Sequence, residues 1–121
     1  DGEGKNKNLD QIENSEMILD IGVNTIKKIQ DIIDHSSTVL WNGPAGYFEN
    51  KNFLKGTISI AETISKNTSK KNLISVIGGG DTLAAINKNK NKLSFSHLST
   101  AGGAFLEYLE GKDLPGLSVL K

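Results

Sequence analysis

The amino-acid sequence predicts an α/β fold in which short strands alternate with helices. Apolar runs of strand length recur three or four times, and most are followed by a stretch whose apolar residues have helical spacing. Three of the strand ends lead directly into glycine-rich turns. This alternation is typical of βα units around a parallel sheet. We therefore expect a partial doubly wound, Rossmann-like parallel sheet with helices on both faces.

The first third of the chain is predicted to hold a linker, a buried strand and a helix. Residues 1–15 are polar and rich in glycine and asparagine, which indicates a linker or the end of an upstream segment. Residues 16–121 then form the C-terminal part of one domain. The apolar run at 17–21 is expected to be a buried strand closed by Gly22. Asn24 is expected to cap a helix, whose inward face would carry Val23, Ile26, Ile29, Ile32 and Ile33.

Three further strand–helix pairs are predicted after this helix. The expected strands are residues 38–41, 73–77 and 95–99, and the expected helices are residues 53–66, 81–87 and 100–109. Trp41 lies in the first of these strands, where core packing is the better explanation for it. His97 lies in the last strand, as either a hinge residue or a core residue. The lysines at 88, 90 and 92 indicate a solvated loop.

Composition excludes several classes of function. The 121 residues carry a formal net charge of zero at pH 7 and no cysteine. There is thus no basic excess to attract nucleic acid or a membrane surface, and no disulfide or thiolate metal site. No apolar run has the length of a membrane span, and the start does not resemble a signal peptide. We expect a cytoplasmic protein.

The basic residues also suggest a fragment. All fourteen are lysines, although arginine is the usual clamp for carboxylates and phosphates. A complete site for a small phosphorylated acid would be unusual without it. The chain also begins with Asp1 rather than methionine, so we expect a fragment.

The glycine-rich turns predict an anion site at one edge of the sheet. They lie at 42–46, 78–80 and 101–103, each after a predicted strand. Ligands of open parallel sheets bind at the carboxyl ends of strands, where helix N-termini attract anions. Asp81 and Thr82 begin the helix after the second turn. Asp81 would hold Mg²⁺ beside phosphates, with Thr82 donating to a phosphate; alternatively, Asp81 only caps its helix.

Generic nucleotide motifs do not identify the site, but longer segments do. No lysine follows the glycines as a phosphate-binding loop requires, and Leu83 stands where a dinucleotide motif has its third glycine. However, VLWNGPAGYFE at 39–49 resembles the phosphoglycerate kinase pattern VLWNGPxGxFE. Residues 77–82 (IGGGDT), 96–107 (SHLSTAGGAFLE) and 109–116 (LEGKDLPG) resemble three further patterns of that family, in order and spacing. The resemblance covers all but the first fifteen residues.

The resemblance implies an enzyme with two lobes. Phosphoglycerate kinases transfer a phosphoryl group between 1,3-bisphosphoglycerate and MgADP, giving 3-phosphoglycerate and ATP. Their C-terminal lobe binds the nucleotide, and their N-terminal lobe holds the glycerate with basic residues. The implied ligands are therefore ADP or ATP with Mg²⁺, and the glycerate substrates only with the other lobe. The complete protein is expected to be a monomer that binds neither nucleic acid nor membrane.

Site roles follow from the resemblance residue by residue. Asn42 and Pro44 would line the nucleotide pocket, and Glu49 would accept the ribose hydroxyls. Gly79, Gly80, Asp81 and Thr82 would surround the phosphates, with Asp81 as the metal ligand. Gly102 and Gly103 would offer catalytic amides to the phosphoryl group in transfer.

Some features depart from the family pattern. Ala101 replaces a glycine, Val23 replaces a proline, and Tyr47 replaces a smaller apolar residue near the base, where it would stack on adenine or fill space. The lysine-bearing segment beside the transferring phosphate has no counterpart, and the glycerate lobe is missing. We expect these 121 residues alone to show no kinase activity. The alternatives are a nucleotide-binding module without catalysis and, less well supported, a dehydrogenase-type dinucleotide domain.

Overall fold

The computed structural model describes residues 4–89 and 92–100. These residues form three helices, α1 (Val23–Asp34), α2 (Lys55–Lys71) and α3 (Gly80–Asn87), and three strands, β1 (Thr38–Asn42), β2 (Ile74–Gly78) and β3 (His97–Ser99). Short 3₁₀ turns occur at Leu9–Gln11 and Lys51–Phe53. Within these ranges, no helix combines the length and apolar character that a membrane crossing needs. The predicted helix over 100–109 falls almost wholly outside the described residues.

The three strands form one parallel sheet in the order β1-β2-β3. Asn42 pairs with Gly78, and Gly78 pairs with Ser99. The carboxyl ends of all three strands therefore lie in one row. This arrangement confirms the α/β parallel-sheet prediction.

The core lies on one face of the sheet. Each helix contributes buried isoleucines to a single cluster around Ile77 of β2, among them Ile33, Ile60, Ile64 and Ile86. Trp41 packs against this cluster, as predicted. Burying one such side chain is worth about 1.5–3 kcal/mol, so this cluster is the main stabilising contact between helices and sheet.

The opposite face of the sheet is less covered. Successive strand residues point to opposite faces, so Leu40 and Ile74 point away from the core. They are 49% and 55% exposed. The helix layer that a doubly wound fold would place there is not formed by residues 4–89 and 92–100.

The strand predicted at 17–21 is wrong. This segment has no strand conformation in the structure, and Met17 and Ile18 are 78% and 70% exposed. It runs instead beside the loop that follows β1, where the Tyr47 N–H donates to the Leu19 carbonyl at 2.6 Å. This single hydrogen bond satisfies the Leu19 carbonyl, but one bond does not form the ladder that a strand needs.

The start of α1 also differs from the prediction. Its N-cap is Gly22, and Asn24 lies inside the first turn. The Val23 N–H donates to Asn6 Oδ1 at 3.1 Å, so a distant side chain satisfies a donor that a local cap usually takes. Ile26 and Ile33 are buried as predicted, whereas Ile32 is largely exposed.

Helix α2 begins against the carboxylate of Asp20. The Gly56 N–H donates to Asp20 Oδ2 at 3.0 Å, and a carboxylate is favourable at a helix N-terminus. A Cβ atom on Gly46 would lie 2.6 Å from Asp20 Oδ1 and 2.7 Å from the Leu19 carbonyl oxygen. The 19–20 segment is therefore packed tightly between the β1 loop and α2. Helix α2 ends at Lys71, five residues beyond the prediction, with Asn72 in the left-handed conformation that closes many helices.

Strand β3 is shorter than predicted because, before His97, hydrogen bonds to two serine side chains take the place of backbone pairing. The Ser75 N–H donates to Ser96 Oγ at 3.0 Å, and the Ser96 N–H donates to Ser75 Oγ at 2.9 Å. Regular pairing begins only at His97, which is exposed. Thr68 of α2 contacts the buried Ser75 hydroxyl at 2.8 Å.

The segment before α1 is held at the surface by an ion pair. Lys7 Nζ lies 2.7 Å from Glu16 Oε1. The hydrogen bond between them lowers the pKa of Glu16 and raises the pKa of Lys7. Together with the Asn6–Val23 contact, this pair fixes a segment that the sequence predicts to be a linker.

Candidate functional site

The loops after the three strands meet at one edge of the sheet. The Gly79 N–H donates to the Ser99 carbonyl at 2.9 Å, which joins the second loop to the third. A Cβ atom on Gly80 would lie 4.0 Å from the Thr100 carbonyl oxygen. The predicted convergence of the loops is thus observed as far as Thr100.

Gly79 is the point of closest approach between the first two loops. Its φ is +96°, a conformation that other residues rarely adopt. A Cβ atom there would lie 3.0 Å from Asn42 Oδ1 and 3.4 Å from Thr82 Oγ1. Asn42, Gly79 and Thr82, all predicted as site residues, therefore lie together.

Two backbone amides of the loop over 42–46 already have hydrogen-bond partners. The Gly43 N–H donates to Thr82 Oγ1 at 2.7 Å, and the Ala45 N–H donates to Thr57 Oγ1 at 2.9 Å. Both hydroxyl groups belong to fully buried side chains. Because these two amides already have partners, they are not free to bind an anion, and anion binding by the rest of this loop stays a prediction.

The first turn of α3 lies at this edge of the sheet. Its N-cap is Gly79, which provides no side-chain cap. The N–H groups of Gly80, Asp81 and Thr82 have no partner within the helix, as in any first helical turn. The turn therefore presents donors at the positive end of the helix dipole.

Asp81 and Thr82 have different environments at this turn. Asp81 is the second residue of α3 and is exposed, so the alternative in which it caps the helix is wrong. The Thr82 side chain is fully buried, and its hydroxyl accepts the Gly43 hydrogen bond. Because this hydroxyl accepts the loop contact, its own proton can still be donated, and its donation to a phosphate stays a prediction.

Glu49 lies on an exposed turn directly after a buried residue, Phe48. Its carboxylate is at the surface, whereas the preceding Phe48 is buried. Lys88 Nζ donates to the Phe48 carbonyl at 2.9 Å and stands 5.2 Å from the centre of the Phe48 ring. No hydrogen bond or ion pair between described residues links Glu49 to Asp81. Lys88 is exposed on the turn after α3, as expected for a solvated loop, and it also contacts Phe48.

Pro44 lines a hollow of about 310 Å³ beside the β1 loop. Ile18, Leu19 and the half-exposed Tyr47 line the same hollow. A larger cavity, about 660 Å³, lies between the N-terminal segment and α1 and shares the 18–21 stretch. The smaller hollow is the one that adjoins the candidate site, because residues of the β1 loop line it.

Two features of the site were missed by sequence reasoning. The sequence places Ile18 and Leu19 in a buried strand, whereas Ile18 is exposed and Leu19 only half-buried beside the β1 loop. Lys88 reaches a residue forty positions earlier, a distance over which no sequence spacing gives a signal. Gly102 and Gly103, the predicted catalytic glycines, lie outside the described residues.

The described residues offer one exposed carboxylate, Asp81, at the start of α3. They contain no group of three histidine or acidic side chains that would form a metal site alone. One exposed carboxylate, Asp81, beside free amides fits Mg²⁺, which proteins commonly bind through one or two carboxylates plus substrate phosphates. The donor set is therefore compatible with a magnesium–nucleotide complex.

The parallel sheet and its helices define an α/β protein whose strand-end loops meet at one edge. The family model described as phosphoglycerate kinase matches residues 1–112. The chain belongs to the phosphoglycerate kinase family. The match begins at residue 1, so it includes the fifteen residues that the motifs left out.

Individual relatives agree with the family match. The chain is 50% identical over 113 residues to a phosphoglycerate kinase of Rhodopseudomonas palustris, covering 93% of this chain and 28% of the relative. It is 49% identical over 115 residues to one from Buchnera aphidicola, covering 95% and 28%. The solved structure of phosphoglycerate kinase from Coxiella burnetii is similar with a TM-score of 0.81 and 43% identity, covering 95% of this chain and 29% of that chain. The chain thus spans under a third of the length of these relatives.

Proposed function

We propose that this chain is the nucleotide-binding part of an enzyme that transfers a phosphoryl group between 1,3-bisphosphoglycerate and MgADP. A bond between phosphorus and the acyl oxygen breaks, and a bond forms from phosphorus to a β-phosphate oxygen of ADP. The products are ATP and the carboxylate of 3-phosphoglycerate. The observation that carries the proposal is the meeting of Asn42, Gly79 and the open first turn of α3 at one sheet edge.

Each part of the edge has a separate role in this proposal. The amides of Gly80 and Asp81, both exposed, and the dipole of α3 bind the nucleotide phosphates, with Gly79 and Thr82 beside them. Asn42 and Pro44 form the wall of the pocket, and the base packs in the hollow beside Pro44, against Ile18, Leu19 and Tyr47. Glu49 accepts the ribose hydroxyls, and its exposed position leaves it open to them.

Asp81 would hold Mg²⁺ together with the nucleotide phosphates. Bound there, the ion would supply neutralisation of phosphate charge. Asp81 itself orients the complex relative to the amides of α3. Gly102 and Gly103 are proposed to donate to the transferring group.

The remaining machinery is proposed to come from other parts of the complete protein. This chain has no arginine, and a glycerate lobe with basic residues would supply the acid-binding site. The family's lysine-bearing glycine segment, which has no counterpart in these 121 residues, would come from elsewhere in the complete protein. We place the complete enzyme in the cytoplasm as a monomer.

The proposal is tested by replacing Asp81 in the full-length protein. We expect Asp81→Asn to weaken MgADP binding by at least about ten-fold, the usual effect of removing a group that orients a metal. Binding of ADP without magnesium should change little. Calorimetric titration with both ligands measures this, and turnover with ATP and 3-phosphoglycerate measures catalysis.

The matched control is Glu62→Gln, which removes an exposed carboxylate from α2. It should leave both affinities unchanged. Native MgADP affinity and turnover in a folded Asp81→Asn protein would reject the role of Asp81. No turnover in the native full-length protein would reject the function.

A further inference from the structure

We propose that Lys88 is a positioning residue of the nucleotide site, because it holds the peptide that carries Glu49. This inference rests on the proposed function, in which Glu49 accepts the ribose hydroxyls. Lys88 would not touch the nucleotide. It would act through Phe48, the residue directly before Glu49.

The contacts are made at one peptide unit. Lys88 Nζ donates to the Phe48 carbonyl at 2.9 Å. That carbonyl and the Glu49 N–H belong to the same planar peptide. The bond therefore fixes the plane from which Glu49 projects.

The Phe48 ring adds a second restraint. Lys88 Nζ stands 5.2 Å from the ring centre, within the range of a cation–π interaction. Because the ring is buried, it cannot turn away from the ammonium group without losing its packing. The lysine is thus held by two groups of one residue.

The rest of the loop is anchored elsewhere. Gly43, Ala45 and Tyr47 donate their N–H groups to Thr82, Thr57 and Leu19. None of these three bonds involves the peptide between Phe48 and Glu49. Lys88 supplies the anchor at that peptide.

Helix α3 then links two parts of the site. Its first turn presents the amides and Asp81, and Lys88 follows its last residue. Eight residues span about 12 Å of helix. A cation is also favoured at a helix C-terminus, so the same helix orients phosphates at one end and the ribose-binding loop at the other.

The test measures nucleotide affinity and turnover in the full-length protein. We expect Lys88→Met, which keeps the stem and removes the charge and the donor, to raise the Kd for ADP about five-fold. The Kd for 2′,3′-dideoxy-ADP should be unchanged, because that ligand has no ribose hydroxyl for Glu49. KM for ADP should rise with kcat nearly constant.

Two lysine variants serve as controls. Lys88→Arg restores a cation and donor, so its ADP affinity should return to within about two-fold of native. Lys71→Met removes an exposed lysine at the end of α2 and should have no effect. Circular dichroism confirms that each variant is folded.

A third variant separates this inference from the proposed function. If Glu49→Gln weakens ADP binding but Lys88→Met does not, the positioning role is rejected and the ribose role stands. If Lys88→Met weakens ADP and dideoxy-ADP equally, the lysine acts on folding or on another subsite, and the inference is again rejected. If Glu49→Gln has no effect on ADP, the ribose role itself fails, and the inference with it.

Discussion

Thr82 connects two loops of the site through one hydrogen bond. Its hydroxyl accepts the Gly43 N–H, and its side chain is fully buried. Gly43 has a φ of +104°, so the chain turns sharply at the residue that this bond holds. This hydrogen bond is thus one of the contacts that hold the β1 loop against α3.

We expect Thr82→Val to lower the free energy of unfolding by about 1–3 kcal/mol, because the Gly43 N–H loses its acceptor in a dry position. Thr25→Val on the exposed face of α1 is the matched control and should stay within about 0.5 kcal/mol. Denaturant titration of the full-length protein measures both. An equal, small effect of the two substitutions would show that the hydrogen bond contributes little.

Prediction from the sequence was most successful where the residue type itself indicates the backbone conformation, as glycine does. Glycines after a strand indicate a backbone conformation that other residues rarely adopt, and Gly79 has a positive φ beside Asn42. The partners of Thr82 and Lys88 could not be predicted. Their contacts join positions about forty residues apart, and only the completed fold determines them.

At the scale of secondary structure, the start of α2 depends on a residue outside the helix. Asp20 lies 36 positions before Gly56, whose N–H it accepts. It also accepts the Ile21 N–H at 2.8 Å. One carboxylate thus fixes both the helix N-terminus and the segment before α1.

We expect Asp20→Ala to destabilise the protein by about 1–2 kcal/mol, the usual effect of losing a helix cap and its favourable charge. Asp20→Asn keeps an acceptor and should lose less. Thermal and denaturant unfolding measure the difference, with the exposed Asp10→Ala as control. A destabilisation by Asp20→Asn as large as that by Asp20→Ala would assign the effect to charge alone.

Periodicity predicted the helices and the three paired strands better than it predicted their ends. The apolar run at 17–21 has the composition of a strand, but strands need a neighbour, and the chain beside it is a loop. The N-terminus of α1 was misplaced because its first donor is satisfied by Asn6. In both cases a tertiary contact determined the local structure.

At the scale of the whole molecule, the described sheet has two unequal faces. Three helices cover the face of Ile77, and Leu40 and Ile74 remain half-exposed on the other. The chain also spans only 28% of relatives such as the Rhodopseudomonas palustris enzyme. The candidate site is accordingly described only for the part of the protein that these residues form.

We expect residues 1–121 alone to show no turnover in an assay coupled to ATP consumption, while the full-length protein is active. The physical reason is that phosphoryl transfer depends on positioning both substrates, and the arginine-free chain lacks the clamp expected for the glycerate. Turnover by the 121 residues above a control without protein would contradict this. Circular dichroism on the same sample distinguishes an inactive fold from an unfolded chain.

The reciprocal bonds between Ser75 and Ser96 also affect how the sheet opens over time. Amide hydrogens exchange with solvent when local fluctuations break their bonds. Since each serine amide is held by the other serine's hydroxyl, the two must be released together. We therefore expect slow deuterium uptake at the Ser96 amide as well as at the amides of β3. The local fluctuation that exposes these amides would break the bonds of both serines and the Thr68–Ser75 contact from α2.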